Sequence, residues 1–229
     1  MHLRPNHTRW KSSFALALTL MLVSTAICSA APTPEQLLAM AFVDIPNQSW
    51  KMARYAVTFA QWDLCVKKGG CQAYDPADQG WGRDNRPVIN VSWDDAQNFI
   101  DWLNLGARHH YRLPTEEEWV YAAHGGTTTD YYWDSGVGSG HANCYGCGSQ
   151  WDGNQTAPVG SFPPNPYGLY DMLGNVAQWT DTCWAEDCVQ RSLLGGSWSA
   201  DPQDLRVNFR ARLKASSRSA HNGFRLIQD

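Results

Sequence analysis

The second half of this chain, residues 127–229, lacks the spacing of apolar residues that is typical of helices. It is rich in Gly, Asn, Trp and Pro with short apolar stretches between them, which predicts loops joined to short strands. A segment this long without helices needs support beyond apolar packing, and disulfides or bound metal ions usually supply it. We therefore expect an α+β protein of low regular secondary structure, with two or three helices, short strands and long loops.

Helices are predicted in the first half of the chain, where three start signals precede apolar residues at helical spacing. Thr58 with Gln61 and Thr115 with Glu118 have the spacing of capping boxes, in which the two side chains pair with free backbone N–H groups. Ser92 is the start signal of the helix between them. The buried face of that helix is predicted to contain Trp93, Ala96, Phe99, Ile100 and Leu103.

The first 30 residues have the features of a secretory signal peptide. Arg4, Arg9 and Lys11 give a positively charged start, residues 14–27 are uncharged and mostly apolar, and small residues follow at positions 28–30. This pattern predicts export to the periplasm or secretion from the cell.

Two other interpretations of the N-terminus fit less well. The apolar stretch is short for a membrane anchor, and Ile27 is bulky where a lipoprotein signal needs a small residue before Cys28. We expect cleavage after residue 30, a polar linker at residues 31–40 and one domain at residues 41–229, with no membrane attachment after cleavage.

The cysteines fit an oxidising compartment. Six of the seven follow the expected signal peptide and fall in three close pairs: Cys65 and Cys71, Cys144 and Cys147, Cys183 and Cys188. Six cysteines allow about 15 connectivities, and the sequence does not decide among them. We expect local pairing within each close pair, while a redox-active Cys144–Cys147 motif and a four-cysteine zinc site remain alternatives.

The charge balance excludes one class of partner. Lys and Arg total 18, Asp and Glu total 22, and the formal net charge is -4. A nucleic-acid-binding domain has an excess or a stripe of basic residues, so we expect no nucleic-acid partner.

Several segments occur in an order that resembles the formylglycine-generating enzyme family, also called the sulfatase-modifying factor family. They are residues 87–93 (PVINVSW), 111–119 (YRLPTEEEW), 165–179 (NPYGLYDMLGNVAQW), 195–198 (GGSW) and 223–225 (GFR). The resemblance covers residues 40–229 and implies a C-type-lectin-like variant of the α+β class that is held together by bound calcium.

The resemblance also implies two calcium sites. At the first, Asp171 and Gln178 correspond to side-chain ligands, and Gly174 and Val176 correspond to carbonyl ligands. The alternative for this segment is a plain turn with polar residues. At the second, the corresponding groups are the Asn143 side chain, the Cys144 carbonyl, the Asp152 carboxylate and the Asn154 carbonyl, although the alignment there requires a gap. Oxygen ligands of these kinds suit calcium.

The copper site of the family is missing from this sequence. Members oxidise a substrate cysteine with molecular oxygen, using copper(I) held by two cysteines that follow the Gly-Gly-Ser-aromatic motif. Ala200 and Leu205 occupy the corresponding positions here, and no cysteine follows Cys188. Because copper(I) selects soft thiolate ligands, we do not expect copper binding and assign no catalytic residue.

A ligand groove is predicted beside these positions. Its candidate residues are Ser197, Trp198, Arg206, Arg210 and Arg212. The arginines suit an anionic or peptide ligand, and the alternative is that they form internal salt bridges and stack on tryptophans.

Three functions are therefore open. The first is a monomeric ligand-binding or accessory module whose partner is an unidentified peptide, protein or small molecule. The second is an enzyme with changed chemistry on a peptide or secondary metabolite, as in siderophore maturation. The third, disfavoured by the missing thiols, is a formylglycine-generating oxidase acting on sulfatases.

Overall fold

The computed structural model describes residues 1–2 and 31–229, and the folded unit spans Pro32–Asp229. Most of the expected signal peptide, including Cys28, lies outside the described residues. Within the described residues, no helix is both long enough and apolar enough to cross a membrane.

The folded unit contains four α-helices and eight short strands. The helices are α1 (Pro34–Leu38), α2 (Phe59–Lys67), α3 (Trp93–Leu103) and α4 (Glu116–His124). The strands are β1 (Phe42–Asp44), β2 (Lys51–Ala53), β3 (Tyr111–Arg112), β4 (Ala177–Cys183), β5 (Gln190–Leu194), β6 (Arg210–Lys214), β7 (Asn222–Gly223) and β8 (Ile227–Gln228). The predicted low content of regular structure in an α+β arrangement is confirmed.

The three predicted helix starts are also confirmed. Capping boxes stand at the starts of α2, α3 and α4, with Thr58, Ser92 and Thr115 as the capping residues. Helix α4 ends at Gly125, which has the left-handed φ of 59° that favours glycine at a helix C-terminus.

The segment expected to be a linker contains the fourth helix. Thr33 and Gln36 form a capping box at the start of α1, the same signal that marks α2 and α4. Leu38 and Met40 then pack against the core, and the Tyr111 hydroxyl donates to Glu35 Oε1 over 2.7 Å. Residues 34–40 are therefore docked on the domain instead of forming a free linker.

The strands form two four-stranded sheets, with orders β1-β2-β8-β3 and β6-β5-β4-β7. In the second sheet, β7 pairs parallel with β4, whereas β8 pairs antiparallel with both β2 and β3 in the first sheet. Residues 222–228 therefore cross from one sheet to the other, which places Phe224, Arg225 and Leu226 in the fully buried space between them.

Two hydrophobic clusters fill the interior. The first is centred on aromatic rings: Trp62 stacks on Phe99 at 5.9 Å between ring centroids, and Phe99 meets Phe224 edge-on at 5.6 Å. The second surrounds Trp119, a residue of α4 that is completely buried. Aromatic pairs of this kind combine a large buried area with defined geometry, and so suit a domain with little regular structure.

The disulfides follow the local pairing that we predicted, joining Cys65 to Cys71, Cys144 to Cys147 and Cys183 to Cys188. The first connects the end of α2 to the following 3₁₀ turn, the second closes a turn, and the third joins the end of β4 to the loop before β5. Cys144 and Cys147 are buried, so the sulfur atoms of this pair are not presented to solvent. Such short loops fix local geometry more than they constrain the whole unfolded chain.

Candidate functional site

The predicted calcium ligands of the first site lie in a buried turn that leads into β4. Gly174 has a φ of 78°, and a Cβ atom there would lie 2.5 Å from the carbonyl oxygen of Asn143. The Asn175 amide donates to that same oxygen over 2.8 Å. Glycine at position 174 thus allows the two predicted calcium segments to pack against each other.

Gln178 has a different role from the one expected. Its Oε1 accepts hydrogen bonds from Trp119 Nε1 at 2.9 Å and from Arg225 Nε at 2.6 Å. Because both partners can only donate, the amide orientation is fixed, and Nε2 points to the Asp171 carbonyl oxygen at 2.9 Å. The Gln178 oxygen is thus used within the protein, and the group facing Asp171 is a donor that cannot bind a cation.

Arg225, in the segment at residues 222–228 that crosses between the sheets, makes the remaining hydrogen bonds around Gln178. Its Nη1 donates to the Ala53 carbonyl at 3.1 Å, and its Nη2 donates to the Tyr170 carbonyl at 2.7 Å and the Asp171 carbonyl at 3.2 Å. Burial lowers the pKa of Arg225 to about 10, so the guanidinium stays charged at neutral pH.

Asp171 provides the one feature of this turn that fits a cation. The Gly160 amide donates to its Oδ2 over 2.7 Å, while Oδ1 is buried without a hydrogen-bond partner in the part of the chain that the structure describes. Burial raises the pKa of Asp171 to about 6. A cation at Oδ1 would compensate the buried carboxylate charge, and Gly174 and Val176, the predicted carbonyl ligands, are buried in the same turn. Asp171 therefore fits calcium through Oδ1, whereas the Gln178 oxygen already accepts from two donors.

The residues of the second predicted calcium site share one loop but have protein partners. Asn143 Oδ1 accepts from Ser149 Oγ at 2.7 Å, and the Asp152 carboxylate accepts from the Gly146 and Gly148 amides at 2.7 and 2.8 Å. Asp152 thereby stabilises the turn that the Cys144–Cys147 disulfide closes.

Asn154 was predicted to bind through its carbonyl, and its side chain donates to the Asp152 carbonyl at 2.6 Å. No group of three or more His, Cys, Asp and Glu side chains that could hold a metal ion occurs in the described ranges. Unlike Asp171, the two predicted side-chain ligands of this second site, Asn143 and Asp152, have no side-chain oxygen without a hydrogen bond.

The two positions that correspond to the copper cysteines present only apolar side chains. Ala200 packs against the second hydrophobic cluster, and Leu205 is 0% exposed within it. The six cysteines of residues 31–229 are all joined in disulfides, so none of them offers a thiolate nearby.

An aromatic and polar cluster beside Ala200 joins the predicted groove residues Ser197 and Trp198 to residues that the sequence did not single out. The His221 ring stacks on Trp198 at 4.8 Å between centroids, and Trp81 meets Trp198 edge-on at 5.2 Å. Ser199 Oγ lies 2.9 Å from His221 Nδ1, and Ser197 Oγ lies 3.5 Å from Ser199 Oγ. We call these five residues the Trp198 cluster.

His221 is a half-buried member of this cluster. Its ring is half-buried against Trp198, and this burial lowers the pKa of His221, which favours the neutral imidazole. The fold makes this contact because β7 brings residue 221 beside the Gly-Gly-Ser-Trp turn. The sequence contains no pattern that predicts a contact between His221 and Trp198.

The basic candidates do not form one groove with Ser197 and Trp198. Arg206 and Arg210 line a separate depression of about 400 Å³ together with Asp130, Asn208 and Phe209. Arg210 pairs with Glu116 at 2.8 Å. Arg210 and Arg212 also cover the Trp184 ring, at 4.4 and 5.0 Å. Arg210 thus has both the internal ion pair and the tryptophan contact of the alternative interpretation, and Arg212 has the tryptophan contact.

Comparison with known proteins assigns this arrangement to a family. A family model described as "Sulfatase-modifying factor enzyme 1-like domain" matches residues 27–229. A Bos taurus protein named "Inactive C-alpha-formylglycine-generating enzyme 2" is 39% identical over 136 residues, which cover 56% of this chain and 43% of that protein. The Bos taurus formylglycine-generating enzyme is 36% identical over 202 residues, covering 76% of this chain and 52% of that enzyme. This chain thus matches about half the length of these two relatives.

Among solved structures, PvdO from Pseudomonas aeruginosa superimposes with a TM-score of 0.70 at 28% sequence identity. The match covers 79% of this chain and 80% of that chain. The similarity confirms the α+β, C-type-lectin-like fold that the sequence motifs implied.

The buried carboxylate generates a prediction about pH. Because burial holds the folded pKa of Asp171 above the ordinary value of an aspartate, the stability that it contributes is full at low pH and is lost as the pH rises through about 6. In chelator at pH 7, Asp171→Asn should raise the free energy of unfolding by about 2–3 kcal/mol, the energy of the full pKa shift. Urea unfolding at pH 7 and pH 4 measures this, and the gain should disappear at pH 4.

Asp152→Asn is the matched control, because the two carboxylate oxygens of Asp152 are both hydrogen-bonded by backbone amides. It should lower stability at pH 7. A destabilised Asp171→Asn variant in chelator would contradict the prediction.

Proposed function

Because this chain belongs to the sulfatase-modifying factor family, we propose that it is an exported, copper-free ligand-binding or accessory module of that family. The proposal places it in the periplasm or outside the cell as a monomer, and its partner is a peptide, a protein or a small molecule. The disulfides are consistent with such an oxidising compartment.

One observation carries the proposal: Ala200 and Leu205 stand where the family holds copper(I) with cysteines. Leu205 is a core residue, so the position is filled by packing instead of being left open for a metal. Copper(I) requires soft ligands, and the side chains of Ala200 and Leu205 contain no atom that can bind it.

The Trp198 cluster supplies a surface suited to binding. Trp198 is held by a hydrogen bond from its Nε1 to the Ala220 carbonyl at 3.0 Å, and its contacts with Trp81 and His221 fix the ring further. Rigid aromatic rings beside serine hydroxyls give contact area at low entropic cost together with polar specificity. We propose that the ligand contacts this cluster.

The proposal predicts no formylglycine formation. The purified protein, loaded with copper(I) under oxygen, should produce no aldehyde in a peptide carrying a sulfatase motif, as measured by mass spectrometry of the peptide. The bovine formylglycine-generating enzyme serves as the positive control. Aldehyde formation that is lost on denaturation would overturn the proposal.

A pair of variants extends this experiment to the metal. Ala200→Cys combined with Leu205→Cys should gain copper(I) affinity, and Ala200→Ser combined with Leu205→Ser should not, since only thiolates suit the ion. Equal copper binding by both pairs would show that these positions are not the relevant ones.

We further propose that calcium binds at the Asp171 turn as a structural ion. The buried, unpaired Asp171 Oδ1 supports this, because a bound cation would compensate the carboxylate. A ligand that binds only the native state adds stability by mass action. Calcium should therefore raise the melting temperature above its value in chelator, and Asp171→Asn should reduce that increase. An identical melting curve with calcium and with chelator would contradict the proposal.

A second candidate function, an enzyme with changed chemistry on a peptide or secondary metabolite, is favoured by the contact between Ser199 and His221. A neutral imidazole 2.9 Å from a hydroxyl can accept its proton. Chemical conversion of a bound ligand that is lost in His221→Gln would support this candidate over a binding module.

A further inference from the structure

A partly enclosed cavity of about 220 Å³ lies where α1 docks on the first sheet, away from the Trp198 cluster. Leu38, Met40, Phe42 and Leu103 give it an apolar wall, and Glu35, His109 and Tyr111 bring polar atoms to it. None of these residues takes part in the calcium turn, the copper positions or the arginine depression.

Glu35 brings a negative charge to this apolar wall. Its Oε1 accepts from the Tyr111 hydroxyl at 2.7 Å, and its Oε2 accepts from the Arg108 amide at 2.9 Å. The bond from the Arg108 amide, opposed by partial burial, lowers the pKa of Glu35, so the carboxylate is ionised at neutral pH. Each oxygen keeps a further acceptor site, because a carboxylate offers about four in total.

Two aromatic rings stand beside the carboxylate. The Phe42 and Tyr111 centroids lie 5.5 Å apart, with the ring planes inclined by 37°. The faces of such rings carry negative electrostatic potential and attract organic cations. The hydrogen bond from Tyr111 to Glu35 also fixes the carboxylate relative to the rings.

From this combination we propose that the cavity binds a small organic cation: an alkylammonium group with a short apolar chain. The carboxylate and the Phe42 ring recognise the charge, and the side chains of Leu38, Met40 and Leu103 accept the chain. The volume restricts the ligand to a size below that of typical drug-like molecules, whose pockets begin at about 300 Å³.

The test compares two probes of the same shape and different charge, n-butylammonium and 1-butanol, in titrations of the full chain followed by calorimetry or ligand-detected NMR. At pH 8 and constant ionic strength, n-butylammonium should bind at least tenfold more tightly, about 1.4 kcal/mol or more. Equal affinities, or no binding of either probe, would overturn the proposal.

Two variants test whether the preference for n-butylammonium over 1-butanol arises in this cavity. Glu35→Gln should remove the preference for the ammonium, whereas Glu117→Gln, at an exposed glutamate on α4, should leave it unchanged. Melting curves show whether Glu35→Gln keeps α1 docked.

Phe42→Leu keeps the apolar wall and loses the aromatic face, and so provides a test that does not depend on Glu35. It should weaken n-butylammonium binding about three-fold, the effect of one exposed cation–π contact, without weakening 1-butanol binding. Unchanged ammonium binding in both Glu35→Gln and Phe42→Leu would place the probe elsewhere and overturn the proposal.

Discussion

The guanidinium of Arg225 is the interaction on which the described fold depends. The segment between β7 and β8 leaves one sheet and enters the other, and Arg225 lies at the crossing. Its hydrogen bonds reach Ala53 in β2, Gln178 in β4 and the carbonyls of Tyr170 and Asp171. One side chain therefore connects both sheets to the turn at residues 170–171. Each buried acceptor left without this donor would cost about 1–3 kcal/mol.

Within the turn at residues 171–178, Gln178 belongs to the hydrogen-bond network, and Asp171 Oδ1 is the atom left for a cation. The Gln178 oxygen accepts from both Trp119 and Arg225, and the Gln178 amide N–H closes the turn onto the Asp171 carbonyl. The remaining unpaired group is Asp171 Oδ1, where a cation would add stability. Neither Ala200 nor Leu205 takes part in these hydrogen bonds, so the network holds the helix-poor half independently of these two positions.

Local signals in the sequence predicted much of the fold. The capping boxes at Thr58 and Thr115 act within four residues, so the sequence alone places α2 and α4. Helix α1 was missed although it has the same capping box, because it is only five residues long and the contact that docks it, between Glu35 and Tyr111, joins residues 76 positions apart. The same limitation hid the partners of Trp198, since Trp81, Trp198 and His221 meet only after the sheets form. For Gln178, the family pattern indicated a ligand, but its two donor partners come from α4 and from the crossing segment, and they redirect the oxygen.

Hydrogen exchange at the indole N–H of Trp119, followed by NMR, tests the central role of the Arg225 network most directly. This N–H donates to Gln178 Oε1 inside the network, whereas the indole N–H of the partly exposed Trp133 donates to the Gly136 and Val137 carbonyls of its own loop. If the network holds the two sheets together, the Trp119 proton exchanges only on global unfolding, with a free energy equal to that of urea unfolding, while the Trp133 proton exchanges through local opening. Exchange of the Trp119 proton by local opening, at the low free energy of Trp133, would contradict this account.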